Sequence, residues 1–228
     1  MENTKQKTIL LGIESSGATC GVGVSINNRL VKEISVNGRN VHSEKLPMFV
    51  QSVLEDLKIE IAHLSGIVLS AGPGSFTGLR IGYSLAKGIA HHSRIPIVEV
   101  PTLDVWAYQI GPQNSKIVAA IDAYRNEIFY SIYEWKEKRF ARISDYSILN
   151  IENIAERITQ PTLITGAITP TLESQITKIT SLSLFRNGTS KPSMDALLEL
   201  GLQKFERGEL SDLNNCEPFY MRKFKGVS

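Results

Sequence analysis

The chain has 228 residues, 42% hydrophobic and 21% charged, enough apolar mass for one large domain or two small ones. A net charge of +2 gives no general pull toward nucleic acid or membrane, and the densest basic cluster, Arg222, Lys223 and Lys225, reads equally as a solvated tail. Two distant cysteines, Cys20 and Cys216, without CxxC spacing, argue against a disulfide framework or a zinc site and for a reducing, cytoplasmic setting. The apolar runs are of strand length, too short to span a membrane, and residues 1–5 lack the layout of a secretory signal.

In chain order, hydrophobic alternation predicts strands over 8–13, 21–26 and 29–36, with Asn27-Asn28 as the tight turn between the last two. A helix follows over 43–57, with Ser43 as its N-cap and Pro47 in its first turn. Leu46, Phe49, Val50, Val53, Leu54 and Leu57 fall on one stripe of it. A strand over 66–71, a glycine-rich turn, a helix near 79–92, a strand over 95–100 and a helix over 102–110 complete the first half.

The second half repeats the order. Strands are expected over 116–121, 127–133 and near 139–146, then a helix near 151–158 and a strand over 162–165. A helix over 170–177, a strand over 181–185 and a helix over 194–207 follow. Each half opens with an apolar strand that ends in a carboxylate, Glu14 and then Asp122. The repetition predicts a duplicated unit of three antiparallel strands followed by alternating helices and strands. The expected lobes are 1–110 and 111–228, the C-terminal segment packing back on the first. Two such copies describe an α/β fold of the ribonuclease-H-like, actin-like (ASKHA) kind, two-lobed, with mixed sheets flanked by helices. In that architecture Glu14 and Asp122 would face a shared cleft, where kinases of this shape handle metal and phosphate; fold analogy alone does not establish such a role.

The sharpest local motif is the loop from Gly72 to Gly78, GPGSFTG, between a strand and a helix. Glycines there permit positive φ and aim amides at an anion, so Gly72 and Gly74, with Glu14, Ser15 and Asp122, are candidates for weak nucleotide or phosphate contact. The alternative is a tight turn that serves packing. The loop is neither a Walker A nor a Rossmann sequence. In the following helix Gly78, Gly82, Ala86 and Ala90 recur every four residues and present a face almost free of side chains, on which another helix could pack closely. The neighbouring row, Ile81, Leu85 and Ile89, is expected to cover the sheet. With Leu46, Phe49, Val50 and Val53, the small face is read as a ledge for a partner, and a bulky residue at Gly82 or Ala86 is expected to abolish binding while the monomer stays folded. Candidate catalytic groups are few. No histidine lies near Ser15 or Ser16 in sequence, and His42, His63, His91 and His92 form no helical metal pair, so neither a catalytic residue nor a metal site is expected.

Residues 71–82, AGPGSFTGLRIG, resemble the signature of the TsaB (YeaZ) family. Further matches run in the family's order: residues 11–16 (LGIESS), 42–44 (HSE), 86–88 (AKG), 95–96 (IP), 100–103 (VPTL), 119–123 (AAIDA) and 217–222 (EPFYMR). Glu14 departs from the family's usual Asp. The resemblance implies a degenerate paralogue of TsaD, which transfers threonylcarbamoyl to adenosine beside the tRNA anticodon. The His-x-x-x-His metal pair of TsaD falls on Thr102 and Trp106, neither of which can replace an imidazole ligand. It further implies a non-catalytic scaffold that binds TsaD through the first-lobe helices, supports the ATPase TsaE, forms a homodimer when alone, meets tRNA indirectly and holds no cofactor beyond weak ATP or ADP. The rival readings are a small ATP-dependent transferase or kinase using Glu14, Asp122 and the glycine loop, and a metallopeptidase.

Overall fold

The computed structural model describes residues 7–38, 40–185 and 191–222, and the chain divides into two compact units. The signal reading of residues 1–5 and the basic residues Lys223 and Lys225 lie outside the described residues.

The first unit begins with an antiparallel meander: β1 (Ile9–Glu14), β2 (Thr19–Ile26) and β3 (Arg29–Asn37). Asn27 and Asn28 take φ of 49° and 64°, the left-handed pair that a two-residue hairpin turn requires. Then come α1 (His42–Leu57), a 3-10 turn (Ile61–His63), β4 (Gly66–Ser70), α2 (Phe76–Ser93) and β5 (Ile97–Val100). The sheet order is β3-β2-β1-β4-β5, with β4 parallel to β1 and β5 parallel to β4. Strand alternation separates the two faces. Leu11, Ile13, Val22, Val24, Ile67 and Leu69 pack with Leu46, Val50 and Val53 of α1 and with Ala86 and Ala90 of α2. Each Val, Leu or Ile side chain so buried contributes about 1.5–3 kcal/mol.

The second unit holds α3 (Thr102–Tyr108), β6 (Lys116–Asp122), β7 (Glu127–Lys136), β8 (Arg139–Arg142), β9 (Ser147–Asn150), a 3-10 helix (Ile151–Arg157), β10 (Thr162–Ala167), α4 (Pro170–Ile176) and β11 (Leu182–Leu184). Its sheet runs β11-β10-β6-β7-β8, with β9 also on β7. Counting β6 as the first strand of the copy, this is the same order as in the first unit. The duplication inferred from hydrophobic pattern is thus a duplication of topology, and the fold is a doubled ribonuclease-H-like, actin-like α/β fold with mixed sheets.

Several expectations change. The third strand of the second copy is split in two, because Ser144 Oγ accepts the Ile132 amide (2.8 Å) and its carbonyl accepts Ser131 Oγ (2.9 Å), turning the chain out of the ladder. Residues 151–157 form a 3-10 rather than an α-helix. Helix α1 starts at His42 after Val41, with no side-chain cap, so Ser43 is not its N-cap and Pro47 lies in the second turn. Helix α2 starts at Phe76 because Ser75 Oγ accepts the Gly78 amide (3.2 Å).

The division between units falls after Val100, not after residue 110. The reason is that Leu103, Trp106 and Ala107 of α3 are core residues of the second unit, packed with Ile117, Ala119 and Tyr133. Met194–Pro218 clusters with the first unit. Helix α5 (Met194–Glu206) packs on β1, β4 and β5, and it comes so close that a Cβ on Gly12 would lie 2.6 Å from Met194 Sδ. Beyond α5, the Ser211 amide donates to the Ile97 carbonyl (2.9 Å) and Ser211 Oγ to Glu99 Oε2 (2.6 Å). Tyr83 of α2 donates to the other oxygen of the same carboxylate.

Cys20 and Cys216 both end in the first unit's core. Burial raises both thiols, and with the Glu99 carboxylate adding to it Cys216 is pushed up to about 12. Thiolate is the reactive form. Alkylation at pH 8 should therefore leave both cysteines unmodified in the folded chain and modify both in denaturant, as mass spectrometry would read. Rapid labelling of native Cys216 would show that the segment after α5 does not hold this position.

Candidate functional site

Strand β1 ends in Glu14, buried at 3% exposure, whose Oε1 accepts the Ser16 amide (2.7 Å) and Ser16 Oγ (2.5 Å). This closes residues 14–17 into a tight turn with its carbonyls directed outward. The Ser16 carbonyl accepts the amide of Ser75, the N-cap of α2 (2.7 Å). A Cβ on Gly74 would stand 2.2 Å from that same oxygen, and one on Gly78 2.2 Å from the Ser15 carbonyl. Gly72 takes φ of 101°, open to glycine alone at little strain. Of the two readings of the glycine loop, packing therefore has direct geometric support. Gly74 and Gly78 make room for backbone oxygens of the β1–β2 turn, and the Ser75 and Gly78 amides are directed to groups of this chain.

The faces of α2 are the reverse of the expected ones. Gly78, Gly82, Ala86 and Ala90 are all buried, facing the sheet and the turn. A Cβ on Gly82 would meet Ser15 Oγ at 2.3 Å. The expectation that this small row forms an outward ledge is thereby corrected: Ser15 stands where side chains on Gly78 and Gly82 would be, and the row faces inward. Leu46 and Val53 of α1 are likewise core residues, Phe49 is half-buried against the core, and Val50 is buried at the floor of a groove.

The bulky row takes the other side. Ile81, Leu85 and Ile89 line an open groove between α1 and α2. At one end a hollow of about 580 Å³ is bounded by Ser43, Pro47, Phe76, Arg80 and Ser84. At the other, about 810 Å³ is bounded by Val50, Leu54, Lys58, Ile61 and His92, and Pro47 and Leu85 belong to both. Met48, at 53% exposure, and Phe76, at 39%, add apolar surface on the same two helices, and the Arg80 guanidinium lies 5.3 Å from the Phe76 ring centre. An apolar groove this long on a helix pair has the form of a docking surface. The sequence does show the Ile81-Leu85-Ile89 row, but periodicity alone does not say which row faces outward.

In the second unit Asp122 repeats the role of Glu14. Its Oδ1 accepts the Tyr124 amide (2.7 Å), two residues on, and its Oδ2 accepts Thr169 Oγ1 (2.8 Å), the N-cap of α4. Both carboxylates thus close the turn after the first strand of their copy. Thr102 and Trp106 are buried at 1% and 3%, and Trp106 fills the core beside Leu103 and Ile117. Among the described residues no group of three His, Cys, Asp or Glu side chains gathers to hold a metal ion.

Filling the inner face of α2 should damage folding. Gly82→Leu forces a side chain into the Ser15 hydroxyl and is expected to lower stability by about 3 kcal/mol. Chemical denaturation would measure this, and a fully stable Gly82→Leu chain would contradict the packing described.

A family model described as TsaD, tRNA N6-adenosine threonylcarbamoyltransferase, matches residues 18–180, well over half of the chain. The tRNA threonylcarbamoyladenosine biosynthesis protein TsaB of Escherichia coli (strain K12) is 25% identical over 218 residues, 93% of this chain and 94% of that protein. TsaB of Bacillus subtilis (strain 168) is 27% identical over 219 residues, 93% of each. Among solved structures, YeaZ from Pseudomonas aeruginosa superposes with a TM-score of 0.76 at 21% identity, over 93% of this chain and 99% of that one, a likeness of fold. The chain belongs to the TsaB (YeaZ) family, within the group that the TsaD model describes.

Proposed function

We propose that this chain is the non-catalytic scaffold subunit in threonylcarbamoyl modification of adenosine next to the anticodon of tRNA, acting by binding TsaD and supporting TsaE. The observation that carries this reading is the apolar groove between α1 and α2, open along its length and lined by Pro47, Ile81, Leu85 and Ile89. The groove leaves apolar side chains facing water, surface that the ridge of another helix would cover. The names of the relatives, matched over most of their length, supply the pathway. In this reading the same groove pairs two copies when TsaD is absent, and tRNA is reached through the assembly.

The chain works in the cytoplasm and without a resident cofactor, any ATP or ADP contact at Glu14, Ser15, Gly72, Gly74 or Asp122 being weak. Two observations support this. Among the described residues no helix is long and apolar enough to cross a membrane. The Ser75 amide, at the start of α2, is already bonded to the Ser16 carbonyl.

Ser84 is exposed on the groove wall, so Ser84→Arg should obstruct docking without touching the core. Calorimetric titration with TsaD is expected to show affinity lowered at least about tenfold, with thermal unfolding unchanged. Sedimentation should show the variant monomeric where the parent chain dimerises. Parent-like affinity for TsaD would overturn the reading.

A further inference from the structure

One turn of four residues touches the starts of both groove helices. The Ser16 carbonyl receives the Ser75 amide at the head of α2 (2.7 Å), and the Ser15 carbonyl fills the space over Gly78. The Gly17 carbonyl lies 3.0 Å from Nε2 of His42, the first residue of α1. Three successive carbonyls thus address two helices. The turn itself is held from within by Glu14 on the Ser16 amide and hydroxyl, and from β4 by Ser70 Oγ, which accepts the Ser15 amide (3.3 Å). The start of α1 has no side-chain cap, and the His42 ring, buried at 7% exposure, reaches away from its own helix to the turn.

We propose that His42 is a positioning residue for the groove: its hydrogen bond to Gly17 fixes the start of α1 against the same turn that fixes α2, and so sets the spacing between the helices. The consequence for partner binding rests on the docking role proposed above; the consequence for helix spacing does not. Apart from one exposed ion pair at its far end, Asp56 with Lys32 of β3 (3.1 Å), α1 packs on the sheet through apolar side chains, which resist separation but allow sliding. A directional bond at its first residue restrains that sliding. Glutamine places an amide N–H close to where the Nε2–H of histidine lies, whereas leucine keeps the bulk and loses the donor. The Glu14 contacts are the upstream part of the same device, since they hold the Ser15–Gly17 carbonyls in place.

The test measures spacing directly. Met48 and Gly88 are exposed on α1 and α2 and a Cβ on Gly88 meets nothing, so Met48→Cys and Gly88→Cys give a pair for spin labels, Cys20 and Cys216 being buried. In the His42→Leu chain the inter-label distance distribution should shift and widen, and His42→Gln should restore it. Should His42→Leu not fold, His42→Asn, whose amide is too short to reach Gly17, takes its place with the same expectation. Affinity for TsaD should fall about tenfold in the leucine variant and return in the glutamine variant. A distribution identical to the parent in His42→Leu overturns the proposal, as does one equally disturbed in His42→Gln. A disturbed distribution beside parent-like TsaD binding by Ser84→Arg would leave the positioning role standing and remove the docking role instead.

Discussion

Backbone oxygens of Ser15 and Ser16 stand where the Cβ atoms of Gly74 and Gly78 would be, each 2.2 Å from the ideal Cβ position. That exclusion determines how the rest of the first unit is arranged. With no side chain between them, the turn and the start of α2 meet backbone to backbone, and the Ser75 amide bonds the Ser16 carbonyl. The helix is drawn against the sheet along its small row, Gly78 to Ala90, and Ile81, Leu85 and Ile89 are left lining the groove beside α1. The open groove is thus a by-product of how tightly the other side packs.

The same device recurs at smaller scale in the second copy. Glu14 and Asp122 each accept the amide two residues on, and each turn is then tied to an N-cap, Ser75 through a carbonyl and Thr169 through the carboxylate itself. Local hydrogen bonding accounts for Glu14 Oε1 and for both oxygens of Asp122, which satisfy groups that leave the strand ladder. Glu14 is the more buried of the two and holds the turn on which two helices depend. Its extra methylene relative to the family's usual Asp fits a carboxylate that must reach both the amide and the hydroxyl of Ser16.

Much of this was legible in the residues. Repeated order gave both sheets, since three alternating segments and two more strands occur twice, and Asn27-Asn28 announced its hairpin by tolerance of positive φ. What sequence could not give was direction. Periodicity finds the Gly78-Gly82-Ala86-Ala90 row and the Ile81-Leu85-Ile89 row equally well, and an apolar row reads as core unless something bars it. The bar here is Ser15, more than sixty residues from Gly78 and Gly82 in sequence. The split third strand has a similar cause, because Ser144 captures the Ile132 amide only once β7 is in place. The unit boundary was misplaced because α3 follows β5 directly yet buries Leu103 and Trp106 elsewhere.

Trp106 connects the second unit to the proposed function. By resemblance, Thr102 and Trp106 stand where TsaD carries its metal-binding histidines, and here both are buried, the indole packed among Leu103, Ile117 and Tyr133. An aromatic ring removes much apolar surface from water and loses that contribution when replaced by a smaller polar group. An imidazole in place of Trp106 would need a hydrogen-bond partner in that apolar surrounding. Trp106 is thus part of what holds the second unit together. A large indole packed in the core of the second unit, together with an apolar groove left open on the first, is the combination that the proposed scaffold role calls for.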